Sequence, residues 1–290
     1  MKKNSILFLT LLVSGFYFTQ AQPAPHEFSV FLNGGFAANC FQPMSKNVSS
    51  AGYGGDLGVG FTGFVSQQLG FQTGVGLGFS MVKSKAGELQ TITPGLLDNQ
   101  NKELYDLHTT LNGYAELHKT LFFSIPAMFQ FQTKMRQSWD WTRSQKNGFY
   151  VATGVKVHLL ISNRYESNIA TLSNRAYYIE RANWAATQEF AGFGLFKREN
   201  GNSGKLDFAV MALFTLETGM KWRLGKGSYL YTGVYFDCGL NDPTKKERKE
   251  YGTYTAPEQL KEMTLMKISD KLNYMAAGIK VRVAFTRNTQ

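Results

Sequence analysis

Residues 69–81 read LGFQTGVGLGFSM, and this stretch decides the interpretation of the whole chain. Large, mostly apolar side chains alternate there with glycine and small polar residues. A period of two predicts a β-strand, and a strand of this length crosses a bilayer when it is tilted. The apolar face would meet lipid and the glycine face would line a narrow lumen. A strand of a soluble sandwich alternates in the same way but is usually about half as long.

Seven further segments repeat the alternation, at 28–36, 57–65, 123–131, 151–161, 208–222, 230–238 and 275–285. Together with 69–81 they predict an all-β fold, an eight-stranded antiparallel up-and-down transmembrane β-barrel. An even number of strands places both chain ends on the same side of the membrane. Extra strands hidden in the connections would give ten strands instead of eight.

The connections alternate in length, which supports the barrel independently. Short turns are predicted at 66–68 and 225–227, and long extracellular loops near 37–52, 83–117, 163–205 and 241–272. Short periplasmic turns with long outer loops are typical of outer-membrane barrels. Residues 133–147 are an exception, because they form a long connection where a short one is expected.

The first residues indicate export. Lys2 and Lys3 precede a mostly apolar stretch at 6–18, and Thr19-Gln20-Ala21 supplies a processing site. The pattern predicts a signal peptide over residues 1–21 and a barrel domain over residues 22–290. The apolar run is shorter than the ~20 residues that a spanning helix needs. We therefore expect the protein in the outer membrane, exported through a cleaved signal peptide.

Composition and charge fit this location. The formal net charge is +10, which is compatible with nucleic-acid binding, but export removes the chain from that partner. The densest basic run, residues 245–249, is interpreted as a solvated loop near anionic headgroups or glycans. Charged residues make up 18% of the chain and aromatic residues 14%. The charged share lies below the ~25% of ordinary soluble domains, as expected for a membrane barrel.

Several stretches resemble the small outer-membrane β-barrel families, including the PorT-like barrels and the OmpA-type N-terminal barrel. They are the glycine-alternating strand 69–81, the segment Phe122-Phe123-Ser124-Ile125-Pro126, and the closing strand 277–285, AGIKVRVAF. The resemblance covers nearly the whole mature chain and implies a barrel without the peptidoglycan-binding domain that OmpA-type proteins often carry. Members act as structural barrels, adhesins, secretion accessories or narrow channels, so the resemblance leaves the function open.

The inward faces of the predicted strands carry charges. Lys156, Glu217, Lys280 and Arg282 form the predicted lumen charge network, to which Lys221, Arg223 and Asp237 add. We expect Glu217 to pair with Lys280 or Arg282, because an unpaired charge in a narrow interior would be costly. Side chains fill the interior of an eight-stranded barrel, so a plugged lumen is preferred over an anion-selective path.

The sequence predicts no catalytic, cofactor-binding or metal site. A hydrolase or acyltransferase needs His near Ser and a carboxylate, and of four histidines only His158 lies on the inward face of a predicted strand. His108, Glu116 and His118 do not have the spacing of a zinc site. The expected function is structural or surface-interacting, with outer-membrane lipid and, through the loops, other envelope or surface proteins as partners. A narrow solute channel and a lipid-modifying enzyme are the alternatives.

Two further groups of residues lie near strand ends. Cys40 and Cys238 fall at the outer ends of the first and seventh strands, with the eighth strand between them. Export allows a disulfide between them, and two unpaired thiols are the alternative. Trp222, Tyr229 and Tyr274 are predicted to belong to the aromatic girdles at the membrane interfaces.

Overall fold

The structure, a computed structural model, describes residues 26–42, 48–98, 102–133, 147–168, 171–185, 193–197, 202–206, 210–225, 227–244, 264–265, 269 and 271–286. The predicted signal peptide, the basic run 245–249 and most of the connection 133–147 lie outside these residues. In the part of the chain that is described, no helix is both long and apolar enough to cross a bilayer.

The described chain is built almost entirely from strands. In chain order these are β1 (His26–Gln42), β2 (Val48–Phe64), β3 (Leu69–Leu97), β4 (Leu104–Gln132), β5 (Asn147–Asn168), β6 (Thr171–Tyr178), β7 (Asn183–Ala185), β8 (Gly194–Lys197), β9 (Asn202–Lys205), β10 (Met211–Gly225), β11 (Ser228–Gly239) and β12 (Lys271–Thr286). Eight of them form a closed antiparallel ring in the order β1-β2-β3-β4-β5-β10-β11-β12. The ring closes where β12 pairs with β1, from Glu27 opposite Thr286 to Gln42 opposite Lys271.

The ring confirms the eight-stranded barrel, and the predicted segments coincide with its strands, except that Val65 lies one residue beyond β2. Residues 208–209, at the start of the predicted sixth strand, lie outside the described residues, and β10 begins at Met211. The alternation sorts the side chains as expected. Large apolar residues such as Phe28, Leu57, Leu77 and Ile279 are exposed on the outside of the ring. Polar and aromatic side chains are buried inside it, next to the inward glycines of β2 and β3.

The connections differ from the prediction, since much of what was expected to be loop is strand. β3 and β4 have 29 residues each, although about 9–11 tilted residues cross a bilayer. Their pairing continues through the predicted loop 83–117 as a β-hairpin. The predicted loop 37–52 is largely the ends of β1 and β2, and the predicted loop 163–205 contains β6 to β9. The register between β3 and β4 is unchanged from Leu69 opposite Phe131 to Thr93 opposite Leu107, so the hairpin continues beyond the barrel before the pairing shifts between Thr93 and Leu96.

The hairpin carries a second, smaller sheet, which we call the outer sheet. It consists of residues 87–97 of β3, residues 104–113 of β4, and the strands β6, β7 and β8. One of its faces has a core of its own, formed by Tyr105, Leu107, Ala176 and Phe193. The outer sheet is therefore a packed element beyond the barrel wall.

Candidate functional site

The polar interior of the barrel is the candidate site, and the structure places the whole predicted network there. Lys156, Glu217, Lys280 and Arg282 are each at most 3% exposed. Successive residues of a strand point alternately inward and outward, and each of these four lies on the inward-facing side of its strand. Other buried residues share that side, such as Ala284 on β12 and Thr215 on β10. Burial of four charged groups makes their partners the deciding feature of the site.

Glu217 and Lys280 form an ion pair across the lumen, Lys280 Nζ donating to Glu217 Oε1. The pair joins β10 to β12, which are separated in the ring by β11. Lys280 Nζ also lies 5.0 Å from the centre of the Phe31 ring. Of the two partners expected for Glu217, the structure brings Lys280 to it.

Arg282 reaches further and makes no ion pair with Glu217. Its Nη1 donates to Gln72 Oε1 on β3, and its Nη2 donates to Gln130 Oε1 on β4 at 2.7 Å. The guanidinium carbon lies 3.8 Å from the centre of the Tyr231 ring. Because β4 stands opposite β12 in the ring of eight, the Arg282 side chain spans the lumen from wall to wall.

A second ion pair and a buried carboxylate lie nearer the outer end. Lys156 Nζ on β5 donates to both carboxylate oxygens of Asp237 on β11, at 2.8 and 3.1 Å. Asp56 on β2 accepts from Asn33 Nδ2 at 2.8 Å and from Ser124 Oγ at 3.0 Å. The Lys156–Asp237 and Ser124–Asp56 contacts also join strands that are not neighbours in the ring, whereas Asn33 and Asp56 lie opposite each other on the neighbouring strands β1 and β2.

The periplasmic end holds a third ion pair that the sequence analysis missed. Lys221 Nζ donates to Glu27 Oε1 at 2.7 Å and to Gln132 Oε1 at 3.0 Å. Tyr231 Oη donates to Glu27 Oε2 at 2.6 Å, and Lys221 Nζ lies 4.1 Å from the centre of the Tyr229 ring. The sequence signal for Glu27 was its position next to outward-facing Phe28, which places it on the inward face of β1.

Counting Glu27 and Asp56 corrects the excess of cations inferred from the sequence. Among the described residues the buried lysine and arginine side chains do not outnumber the buried carboxylates. The cations are Lys156, Lys221, Lys280 and Arg282, and the anions are Glu27, Asp56, Glu116, Glu217 and Asp237. Arg223 is only half-buried and donates to the carbonyl oxygen of Gly225 at 3.4 Å. The described interior therefore lacks the excess of positive charge on which an anion-selective path would depend.

The histidines are arranged for packing. The His158 ring stacks on Phe122, with 4.0 Å between ring centres, while the Ser124 hydroxyl beside it donates to Asp56. His118, which the sequence placed in or near a loop, is buried on β4 with Nε2 2.7 Å from Glu116 Oε1. His108 lies apart, in the outer sheet, 4.7 Å from the Trp184 ring. The described residues contain no group of three metal-ligating His, Cys, Asp or Glu side chains.

The two cysteines are unbonded, so the disulfide alternative is not the arrangement in the structure. Cys40 Sγ lies 3.8 Å from Met275 Sδ, and Cys238 stands opposite Met275. β12 separates β1 from β11, and two strand spacings of ~4.8 Å exceed the ~7 Å between Cα atoms that a disulfide tolerates. The predicted placement of both thiols beside the eighth strand holds, but they are too far apart to pair.

The predicted interfacial aromatics divide into two groups. Trp222 is exposed on the outside of β10, and its Nε1 donates to Thr232 Oγ1 at 2.9 Å. Tyr274 is only 7% exposed and packs inside the barrel with Tyr235 and Ala276. Tyr229 also points inward, against Lys221. The girdle prediction is therefore wrong for Tyr229 and Tyr274. Both lie on the same inward face of their strands as the buried charges.

The comparison with protein families agrees with this architecture. Residues 20–242 match the family model of the outer membrane protein beta-barrel domain. Among solved structures the chain is similar to Neisserial surface protein A, with 9% identity over 89% of this chain and 97% of that chain and a TM-score of 0.32. It is also similar to Ail, the attachment invasion locus protein of Yersinia pestis, with 7% identity over 90% and 98% and a TM-score of 0.26. No curated protein matches significantly. From the family match, the chain belongs to the outer membrane protein β-barrel domain family and resides in the outer membrane.

Proposed function

We propose that this outer-membrane barrel is plugged by its own side chains and works through its outer surface, as a structural or surface-interaction protein. The observation that carries the proposal is the set of contacts that cross the lumen. Arg282 bridges opposite walls, and Glu27 and Lys221 join strands that lie three positions apart in the ring. An eight-stranded barrel has an interior that side chains can fill.

The crossing contacts occur at successive heights, which supports a plug along the length of the lumen. Lys221 and Glu27 occupy the periplasmic end, Lys280 and Glu217 the middle, and Lys156 and Asp237 the outer part. A solute would have to break each buried pair in turn, and breaking one such pair costs about 3–5 kcal/mol. A narrow solute channel would need an interior free of these bridges.

The histidine geometry supports a role without catalysis. Nucleophilic catalysis needs a base that takes the proton from the attacking hydroxyl. The Ser124 hydroxyl donates to a carboxylate, and the nearby His158 ring is stacked flat on Phe122. This arrangement favours packing over a lipid-modifying site.

The outer sheet supplies the surface for interaction. It extends β3 and β4 well past the segment that a bilayer covers and has its own apolar core around Leu107 and Phe193. Function in barrels is usually placed in the segments beyond the membrane. Lipid contacts the exposed apolar belt, and we propose other envelope or surface proteins as partners of the outer sheet.

The domain boundaries are part of the proposal. We place the signal peptide at residues 1–21 and the barrel domain at residues 22–290, on the charged start, apolar stretch and processing site of the sequence. Mass spectrometry of the protein purified from outer membranes tests this. A first residue other than Gln22 would overturn the boundary.

The plugged lumen is tested by planar-bilayer recording of the purified, folded protein. We expect no stable current steps from the wild type. The double variant Arg282→Ala, Gln72→Ala removes one bridge and leaves the three ion pairs at other heights in place, so it too should show no stable current steps. A heat-dependent gel shift shows that both proteins are folded. Stable steps from the wild type would overturn the plug and favour the solute channel.

A further inference from the structure

The two edges of the outer hairpin differ in what covers them. β4 is covered on its outer side by β6, from Tyr105 opposite Tyr178 to Asn112 opposite Thr171. Among the described residues, β2 accompanies β3 as far as Val48 opposite Ala86. Beyond Ala86, β3 pairs with β4 on one side, and no strand among the described residues pairs with its other side. Within the described chain, residues 87–93 therefore form a strand edge without a strand partner, whose backbone groups can pair with an added strand.

The sequence of this edge lacks the usual protection against pairing. Natural edge strands carry lysine, proline or inward charges that block another strand. Residues 88–93 read ELQTIT, with one charge and neither proline nor glycine. Short segments of strand-forming residues with low charge are those that most readily pair edge to edge. Pro94 follows at once and, having no N–H, limits the pairing segment at that end.

The edge is also accessible. Glu88, Gln90 and Pro94 are exposed, and Ile92 is 54% exposed. The space around Gly87 is open, since a Cβ there would meet no atom within 4 Å. The exposure of Glu88, Gln90, Ile92 and Pro94 leaves room for an added strand.

We propose that residues 89–93 form an antiparallel strand pair with the same residues of a second copy of this chain, anchored in a facing membrane, with Glu88 and Pro94 at the two ends of the pairing. The proposal deepens the surface-interaction role given above and rests on it. The occupied edge would join the two outer sheets into one continuous sheet across the gap between two membranes. The chain would then act as a self-recognising adhesion protein.

A second copy suits this edge because the segment complements itself. A two-fold axis at Thr91 sets Glu88 opposite Pro94 of the other copy, so the pairing ends where the N–H is missing. The two Glu88 carboxylates then lie at opposite ends, about six strand residues or ~20 Å apart, where they hardly repel each other. A strongly acidic or basic partner strand would find only one charge to meet.

The direction of β3 determines that the copies face each other. β3 starts at the short turn at 66–68 and runs outward through the barrel wall to Leu97. Two copies in one membrane therefore run their β3 strands in the same direction. Antiparallel pairing reverses one copy, which requires a second membrane. Isologous contact of this kind is closed and saturates with one partner.

Clustering of proteoliposomes tests the proposal. Two vesicle populations carrying the folded full chain, labelled with donor and acceptor lipids, are mixed and their energy transfer is recorded. We expect wild-type vesicles to cluster, and Ile92→Lys to slow clustering about tenfold because lysine on a strand edge blocks pairing. Ile179→Lys is the matched control, since Ile179 is 51% exposed in the outer sheet region but off this edge. It should cluster like the wild type.

Each other outcome overturns the proposal. Wild-type vesicles that do not cluster, or equal slowing by both lysine variants, would exclude the edge as the contact. Clustering of protein vesicles with empty vesicles would indicate lipid bridging. The bilayer recordings are independent of this assay. A failed clustering test would not contradict the plugged lumen. Stable current steps would contradict the plugged lumen but not the strand pairing between copies.

Cross-linking checks the register. In a Cys40→Ser, Cys238→Ser background, Thr91→Cys should form an oxidised dimer in clustered vesicles, since directly opposite strand residues have Cα atoms about 4.5–5.5 Å apart. Glu88→Cys in the same background should not, because it is distant from its counterpart. A dimer from the Glu88 variant alone would overturn the antiparallel pairing.

Discussion

The barrel interior and the outer sheet deal with unpaired polar groups in opposite ways. In the barrel every strand has two neighbours, and the buried lysines are held in ion pairs with buried carboxylates. In the outer sheet β3 has one neighbour, and an ion pair such as Arg181–Glu103 has its arginine 59% exposed. Closure removes strand edges and requires internal pairing, whereas an open sheet keeps an edge available for recognition.

The two regions should therefore respond differently to mutation. Removing one partner of a buried ion pair costs about 3–5 kcal/mol. An exposed pair contributes about 0–1 kcal/mol. Substitutions in the interior should change stability, and substitutions in the outer sheet should change binding or local order while the barrel remains intact.

The largest effect is expected from Glu217→Gln. The change leaves Lys280 buried without its carboxylate, so the free energy of unfolding should fall by about 3–5 kcal/mol. Urea unfolding in lipid vesicles measures this, and the temperature of the gel shift should fall with it. The double variant Glu217→Gln, Lys280→Met should recover much of the loss because neither charge remains. If the single variant changed neither stability nor conductance, the lumen network would have no structural role.

A smaller effect is expected from Gly219→Ala, which should lower the free energy of unfolding by about 1–3 kcal/mol because it overpacks the interior. A Cβ at this inward position would collide with the backbone of β11, at the Thr232 carbonyl oxygen and Gly233 Cα. Gly34→Ala is the matched control, because a Cβ at that outward position meets no atom within 4 Å. Equal urea midpoints for both variants would show that close strand approach does not limit the interior.

The sequence predicts the barrel better than it predicts the outer sheet. Alternation predicts the eight ring strands and the inward side of Lys156, Glu217, Lys280 and Arg282, since parity is a local property of a strand. It does not give the partner of each charge. Arg282 meets Gln72 and Gln130, and such pairing depends on the stagger of the strands around the ring.

The outer sheet was beyond prediction for a different reason. Residues 83–117 contain Gly87, Gly95 and Gly113, which favour turns and loops when read locally. Two of these, Gly95 and Gly113, do adopt positive φ values of 69° and 66°. The hairpin nevertheless persists because β4 is paired on both sides, by β3 and by β6, and such tertiary pairing overrides local preference. For Tyr229 and Tyr274 the alternation of the sequence does indicate an inward side chain. They were assigned to the aromatic girdles because they lie close to strand ends.

Tyr178→Phe should loosen the outer sheet alone. Tyr178 Oη donates to Asp98 Oδ2 at 2.8 Å, and such a bond contributes about 0.5–1.5 kcal/mol. Burial, followed by this hydrogen bond and the charge of Asp98, raises the pKa of Tyr178 from 10.0 to about 12. The raised pKa means that the contribution is present below pH 10 and is lost as the pH rises towards 12. Limited proteolysis should be faster for the variant than for the wild type at pH 8, and the difference between them should shrink as the pH is raised above 10.

The heat-dependent gel shift is the control for that prediction, because it reports the barrel. It should be the same for Tyr178→Phe and the wild type at pH 8. A variant that lowered the temperature of the shift would show that the outer sheet and the ring unfold as one unit. The contrast between the two regions would then be one of accessibility and not of stability.

The smallest effect on the protein is expected from oxidising the native cysteines. This experiment tests the order of β11, β12 and β1 in the ring, on which the assignment of inward and outward faces depends. Cys40 and Cys238 flank β12 and are too far apart to pair, so an oxidant should not change the mobility of the denatured wild-type chain. Met275→Cys puts a thiol opposite Cys238 and near Cys40, and oxidation should then give an internally cross-linked, faster-migrating band. A cross-link in the wild type would place β1 next to β11, contrary to the observed ring order, and would undo the assignment of inward and outward faces around β12.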